Sequence, residues 1–185
     1  MAARENEPYA EMRDLASWLQ LPDRPDWSDE HERWSVYRVA LRSEGSRERL
    51  MRAIAAESDL MLAGAVVNEI TRNGEPDADI WVALLPAGSR ERETANSILS
   101  DETIMREVVL SGHDFGPEQI ATWSTALQRA AARATLSGPG LDALANGGRT
   151  ARIRRLAGDR SRQLRANLKR GARPVVEPPQ HKAPD

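Results

Sequence analysis

The residues of this chain best suited to chemistry are arginines, and they crowd into one stretch. Residues 149–173 read RTARIRRLAGDRSRQLRANLKRGAR, ten basic side chains against a single acid, Asp159, for a net charge of +9. A guanidinium carries five N–H donors in a planar fork that matches phosphate or carboxylate oxygens, and it keeps its charge at any physiological pH. Left solvated, such a density of charge repels itself; binding a phosphate backbone relieves that repulsion and releases condensed counterions. Arg149, Arg152, Arg154, Arg155, Arg160, Arg162, Arg165, Lys169 and Arg170 are therefore the candidate nucleic-acid-binding residues. Contact would be to phosphate rather than to bases. The stretch has no aromatic side chain to stack on a base, and only Gln163 and Asn167 could read a base edge. The same charge also suits an acidic protein surface, on a partner or in an oligomer of the chain itself.

Other chemistries find little support. Cysteine is absent, which removes disulfides, thiolate metal sites and cysteine nucleophiles. The three histidines, His31, His113 and His181, lie far apart and none belongs to a paired zinc motif, so no metal site and no cofactor are expected. His113-Asp114 follows a helix stop and could orient a catalytic histidine, with Ser111 or Ser124 as nucleophile. No glycine-flanked serine on a strand–turn–helix accompanies them, so they read as loop residues. Asp77, Asp79, Asp101 and Glu102 stand at helix starts, where the dipole accounts for acids. No catalytic residue is assigned and the protein is not expected to be an enzyme. Gly147-Gly148, just before the basic stretch, reads as a hinge rather than a phosphate loop.

The charge is strongly segregated. Residues 1–148 hold 15 Arg and 25 acids, net −10; residues 174–185 hold one Lys and two acids, net −1. Basic residues are 24 Arg and two Lys, which with the many alanines reflects first the codon usage of a GC-rich genome. No apolar run approaches the length of a membrane span, and MAARENEPYAEM has no signal-peptide core, so a cytoplasmic location is the expectation.

The elements that must position the basic stretch read as helices throughout. Apolar residues recur at helical spacing from Asn6 or Pro8 to Leu19, where the prolines of LPDRPD stop them. Ser28 is placed to cap a second helix bearing Trp34, Tyr37, Ala40 and Leu41, and Ser46 a third bearing Leu50, Met51 and Ile54. LMLAGAVVNEITR, residues 60–72, is apolar on nearly all sides and predicts a central buried helix. For the same reason residues 47–72 are not a DNA-reading helix-turn-helix, since Leu60–Val67 has no polar side chain to offer bases. Further helices are predicted over 79–85, over 90–99 and 101–111 with Ser89 and Ser100 as caps, and from Gly116-Pro117-Glu118 through Ala134. Gly138-Pro139-Gly140 should break that helix before a short one ending at Gly147-Gly148. Trp34, Trp81 and Trp123 lie on apolar faces and belong to the core, and Trp18 and Trp27 should pack at its edge.

The expected architecture is all-α. A compact orthogonal bundle, an acidic domain over 1–146, precedes a basic helical arm over 147–173 and a disordered proline-rich tail over 174–185. Ile153, Leu156, Ala157, Leu164 and Leu168 make one apolar stripe along the arm. The functional expectation is a nucleic-acid-associated protein without catalysis, of the DNA-packaging, virion or chromosome-accessory kind. The alternative is an assembly or adaptor protein whose arm docks on an acidic surface.

Overall fold

The computed structural model describes residues 9–21, 26–75 and 77–171. The expected helix start at Asn6 or Pro8 and the tail over 174–185 lie outside these residues. Among the described residues every regular element is helical, so the fold is all-α. The helices are α1 (Ala10–Trp18), α2 (Glu30–Ala40), α3 (Arg47–Ala56), α4 (Leu60–Arg72), α5 (Ala78–Ala83) and α6 (Arg90–Ile104). A π-helical turn, Met105–Leu110, continues α6 directly and is followed by α7 (Pro117–Thr122), α8 (Thr125–Ala134), α9 (Gly138–Gly147) and α10 (Ala151–Gly171).

The chain divides into two compact units, residues 1–102 and 103–185, with the division inside α6. The expected boundary at 146/147 falls inside the second unit. The first unit is built around Leu15, Val36, Tyr37, Ile54, Val66, Val67 and Leu85, from α1 to α5 and the turn after it. The second is built around Val109, Phe115, Trp123, Leu127, Leu141, Leu144 and Ile153. Ile153 is the reason the arm is not an appendage. The first half of α10 buries Ile153, Ala157 and Ser161, which are four residues apart and so share one helical face, against α8 and α9.

Local signals explain most helix starts. The Asp29 carboxylate accepts from the His31 N–H at 2.7 Å and caps α2. Ser28, the expected cap, is already engaged: its N–H and hydroxyl both donate to Asp26. Asp59 caps α4 by accepting from the Met61 and Leu62 N–H groups, and Ser124 and Ser137 cap α8 and α9.

Three boundaries and one cap depart from expectation. No Gly or Pro interrupts residues 90–111, so Ser100 caps nothing and α6 runs through it. The π turn that follows closes with the His113 N–H donating to Val108 O, five residues back, at 3.1 Å. Ser46 donates its hydroxyl to Ala40 O and Ser43 O instead of capping α3. The helix expected from Gly116 through Ala134 breaks at Trp123, whose backbone is extended. There the buried Gln128 side chain donates to Ile120 O at 2.7 Å and Trp123 O at 3.3 Å, taking up carbonyls at the end of α7. Gly138-Pro139-Gly140 ends no helix of its own: it forms the first turn of α9, where proline fits.

Helix α4 buries Leu62, Ala63, Val66, Val67 and Ile70 in the first core, as its composition requires. It is not covered on every side, however, because Met61 is 78% exposed and Ala65 is exposed. Trp81 and Trp123 are buried, while Trp34, Trp18 and Trp27 are partly covered. The first unit also contains a buried ion pair. Arg33 Nε lies 3.2 Å from Glu57 Oε2, and the Tyr37 hydroxyl lies 3.3 Å from the same oxygen.

Candidate nucleic-acid interface

The segregation of charge follows the two units more closely than it follows an arm. Residues 1–102 hold 12 Arg and 21 acids, net −9; residues 103–185 hold 14 basic residues and seven acids, net +7. The whole second unit is the basic body.

The nine candidate residues do not form one uniform surface. Three of them hold the fold together. Arg149 donates through Nη2 to Ala121 O at 3.3 Å, and Arg154 through Nη1 to Gly148 O at 2.7 Å. Arg160 donates to Arg133 O and Thr135 O, tying α10 to the end of α8. Two others are neutralised, Arg162 by Asp159 and Arg165 by Asp142, which also accepts from Ser161 Oγ at 2.7 Å. Arg170 donates to Asn167 Oδ1 at 2.7 Å. Arg152, Arg155 and Lys169 are exposed, and their side chains make no hydrogen bond or ion pair among the described residues.

Arg152 and Arg155 are joined by two residues that sequence reasoning missed. Arg129 and Arg133 stand one turn apart on α8, and the four arginines line a single groove of about 320 Å³ between α8 and α10. Its floor is Ile153 and Leu156, and its one acid is Asp159, already paired with Arg162. The side chains of Arg129 and Arg133 likewise have no partner among the described residues. The signal for them was present in the sequence: between Glu118 and Asp142 there are two arginines and no acid. A helical reading then puts both opposite the buried Leu127 and Ala131 face of α8. Four cationic residues around one cavity, against the single acid Asp159, raise the local positive potential and favour a counter-charge there.

Gly148 is not a hinge. A Cβ there would lie 2.5 Å from Leu144 O and 2.8 Å from Ile153 Cγ2, so its missing side chain lets α9 and α10 meet closely. Its N–H donates to Leu144 O at 2.9 Å, so that amide is not free for a phosphate.

The Ser–His pair bonds within the π turn. His113 Nδ1 lies 2.9 Å from Glu107 O and 2.7 Å from Ser111 Oγ. The Ser111 hydroxyl lies 2.6 Å from the same Glu107 O and 3.1 Å from Val108 O. Asp114 accepts from Ser137 and does not orient the ring. These groups finish the π turn.

Among the described residues no cluster of three or more His, Asp or Glu could hold a metal ion. No helix among them is long and apolar enough to cross a membrane. Set against known protein families, curated proteins and solved structures, the chain matches none of them.

Proposed function

We propose that the protein is a nucleic-acid-associated protein without catalytic activity that grips phosphates through its basic second unit. The observation that carries this reading is the groove between α8 and α10. Arg129, Arg133, Arg152 and Arg155 converge there, and none of their side chains is spent on the fold. A carboxylate partner within the chain would explain such a cluster as structure, and none is in place among the described residues. A phosphodiester backbone supplies the missing charge, and releasing its counterions supplies the driving force. The apolar floor of Ile153 and Leu156 offers nothing to a base edge, so the grip carries no sequence preference. The remaining bases of α10 add to the long-range field that draws a polyanion toward the groove.

The test is a fluorescence-anisotropy titration of the nuclease-treated full chain against two unrelated duplexes and one single-stranded RNA, over a series of salt concentrations. Both duplexes should bind alike, with affinity falling log-linearly with salt at roughly −0.9 per phosphate neutralised. Absence of binding at low salt would overturn the reading in favour of an acidic protein partner. A strong preference for one duplex would show that bases are read.

A further inference from the structure

One exposed side of α10 carries a row of charges. Arg152, Arg155, Asp159, Arg162 and Lys169 follow helical spacing and share that side, and all five are exposed. The row is basic except at Asp159. Its first three members, Arg152, Arg155 and Asp159, line the arginine groove, and Asp159 is the one acid there.

Two ties set the row against α8. The Arg149 N–H donates to Gln128 Oε1 at 2.8 Å, and Arg160 donates to Arg133 O and Thr135 O. The two helices therefore run in the same sense, with Arg152 toward Arg129 and Asp159 toward the Arg133 end of the groove. Asp159 also marks a change in how the arginines are used. The four arginines of the groove have no partner among the described residues. Beyond them Arg160 holds carbonyls of α8, Arg162 pairs with Asp159, Arg165 pairs with Asp142, and Arg170 donates to Asn167. The pair of Asp159 with Arg162 is exposed, and a pair of that kind adds little to stability. Its larger effect is on the row, which it leaves without net charge one turn past Arg155.

We propose, on the phosphate reading of the groove, that Asp159 sets the length of the phosphate site. It ends the run of phosphates at the Arg133 end and withholds Arg162 from the next one. A strand that continued along α10 past Arg155 would bring a phosphate up to the Asp159 carboxylate, and like charges at that range repel. Arg162 could hold that phosphate only by leaving Asp159 unpaired beside it. The nucleic acid is thus gripped over a short stretch of one backbone, between α8 and the first half of α10, and does not track the whole basic helix.

The experiment is an anisotropy titration of one duplex over a salt series, with the nuclease-treated full chain and three variants: Asp159→Asn, Arg162→Gln, and both together. Both positions are exposed, so circular dichroism should show the same helicity for all four proteins. Asp159→Asn should bind more tightly, with a log–log salt slope steeper by roughly 0.9 for the one phosphate gained. Arg162→Gln alone should keep the wild-type slope. The double variant should return to the wild-type slope, because the gain passes through Arg162. Tighter binding by Asp159→Asn with no change of slope would be a general field effect and overturns the proposal. So does a flattened slope in Arg162→Gln alone, or a double variant that stays steep. In each of these results the wild type still binds, so the groove itself stands. A wild type that binds no duplex at low salt overturns the phosphate reading, and the role of Asp159 with it.

Discussion

The backbone N–H of Arg149 donates to Gln128 Oε1 at 2.8 Å, and this bond fixes where the basic helix begins. Gln128 is buried, and its Nε2 donates to carbonyls of α7. One amide therefore joins the end of α7 to the approach to α10 from within α8. Satisfying both ends of a buried amide is what makes such a residue hard to replace.

Gln128→Leu keeps the volume and removes every one of these bonds. The Arg149 N–H then lacks its partner at a partly buried site, at a cost of about 1–3 kcal/mol. Urea denaturation of wild type and variant measures the difference. Equal stability would show that the amide is not a clamp.

Removing the basic segment should damage the second unit. Ile153 and Ala157 are fully buried. A chain ending at residue 146 exposes the α8 and α9 faces that cover them, and its second unit should lose cooperative structure. Ile153→Ala is the milder test and should cost roughly 2–5 kcal/mol. Hydrogen exchange localises the effect: amides of α8 and α9 should lose protection, while those of α2–α4 keep it. Unchanged protection in α8 and α9 would return α10 to the status of an appendage.

The first unit should weaken in alkali through Tyr37. Burial raises the Tyr37 pKa well above tyrosine's ordinary value, and the Glu57 carboxylate beside it raises it further, against a smaller lowering by Arg33. In the unfolded chain the phenol ionises near its ordinary value of about 10, while in the folded chain it stays protonated. The folded state then binds more protons, so stability is full below about pH 10 and is lost as pH rises above it. Denaturation midpoints at pH 8 and pH 11 should diverge for the wild type. Tyr37→Phe should narrow that divergence while lowering stability at pH 8, because Tyr37 also donates to Ala53 O at 3.2 Å. An undiminished divergence in the variant would assign the alkaline loss to other groups.

Helix content was legible because periodicity is local: Met12 with Leu15, and Leu50 with Ile54, declare a buried face by spacing alone. The unit boundary was not, because α6 crosses it without a glycine or proline to mark it. The burial of α10 was underread for a different reason. Its apolar stripe was visible, but the surrounding arginines suggested a solvated helix, and arginine reaches backbone carbonyls as readily as phosphates. Arg154 on Gly148 O and Arg160 on Thr135 O are that case. Arg129 and Arg133 were overlooked because charge was summed along the chain, and the groove joins residues some 20 positions apart. Gln128 gave no signal, since a polar residue beside an apolar stripe reads as surface until its partners are known.

The division of labour among the arginines yields the sharpest test of the groove. Arg129→Gln with Arg133→Gln, and separately Arg152→Gln with Arg155→Gln, remove unpartnered charges from its two walls. Glutamine is a good helix former, so α8 and α10 should persist. Each pair should weaken binding to all duplexes alike and flatten the log–log salt dependence by about one per lost contact, at most about two. Arg154→Gln should behave differently. Its guanidinium is already committed to Gly148 O, so its loss should cost about 1 kcal/mol of stability and leave the salt slope nearly unchanged. Anisotropy titrations at several salt concentrations, each paired with a denaturation curve, separate the two effects. If the α10 pair flattens the slope and the α8 pair does not, the phosphate lies along one helix and the groove is not the site. If Arg154→Gln flattens it equally, the fold-holding arginines bind as well, and charge density alone decides the contact.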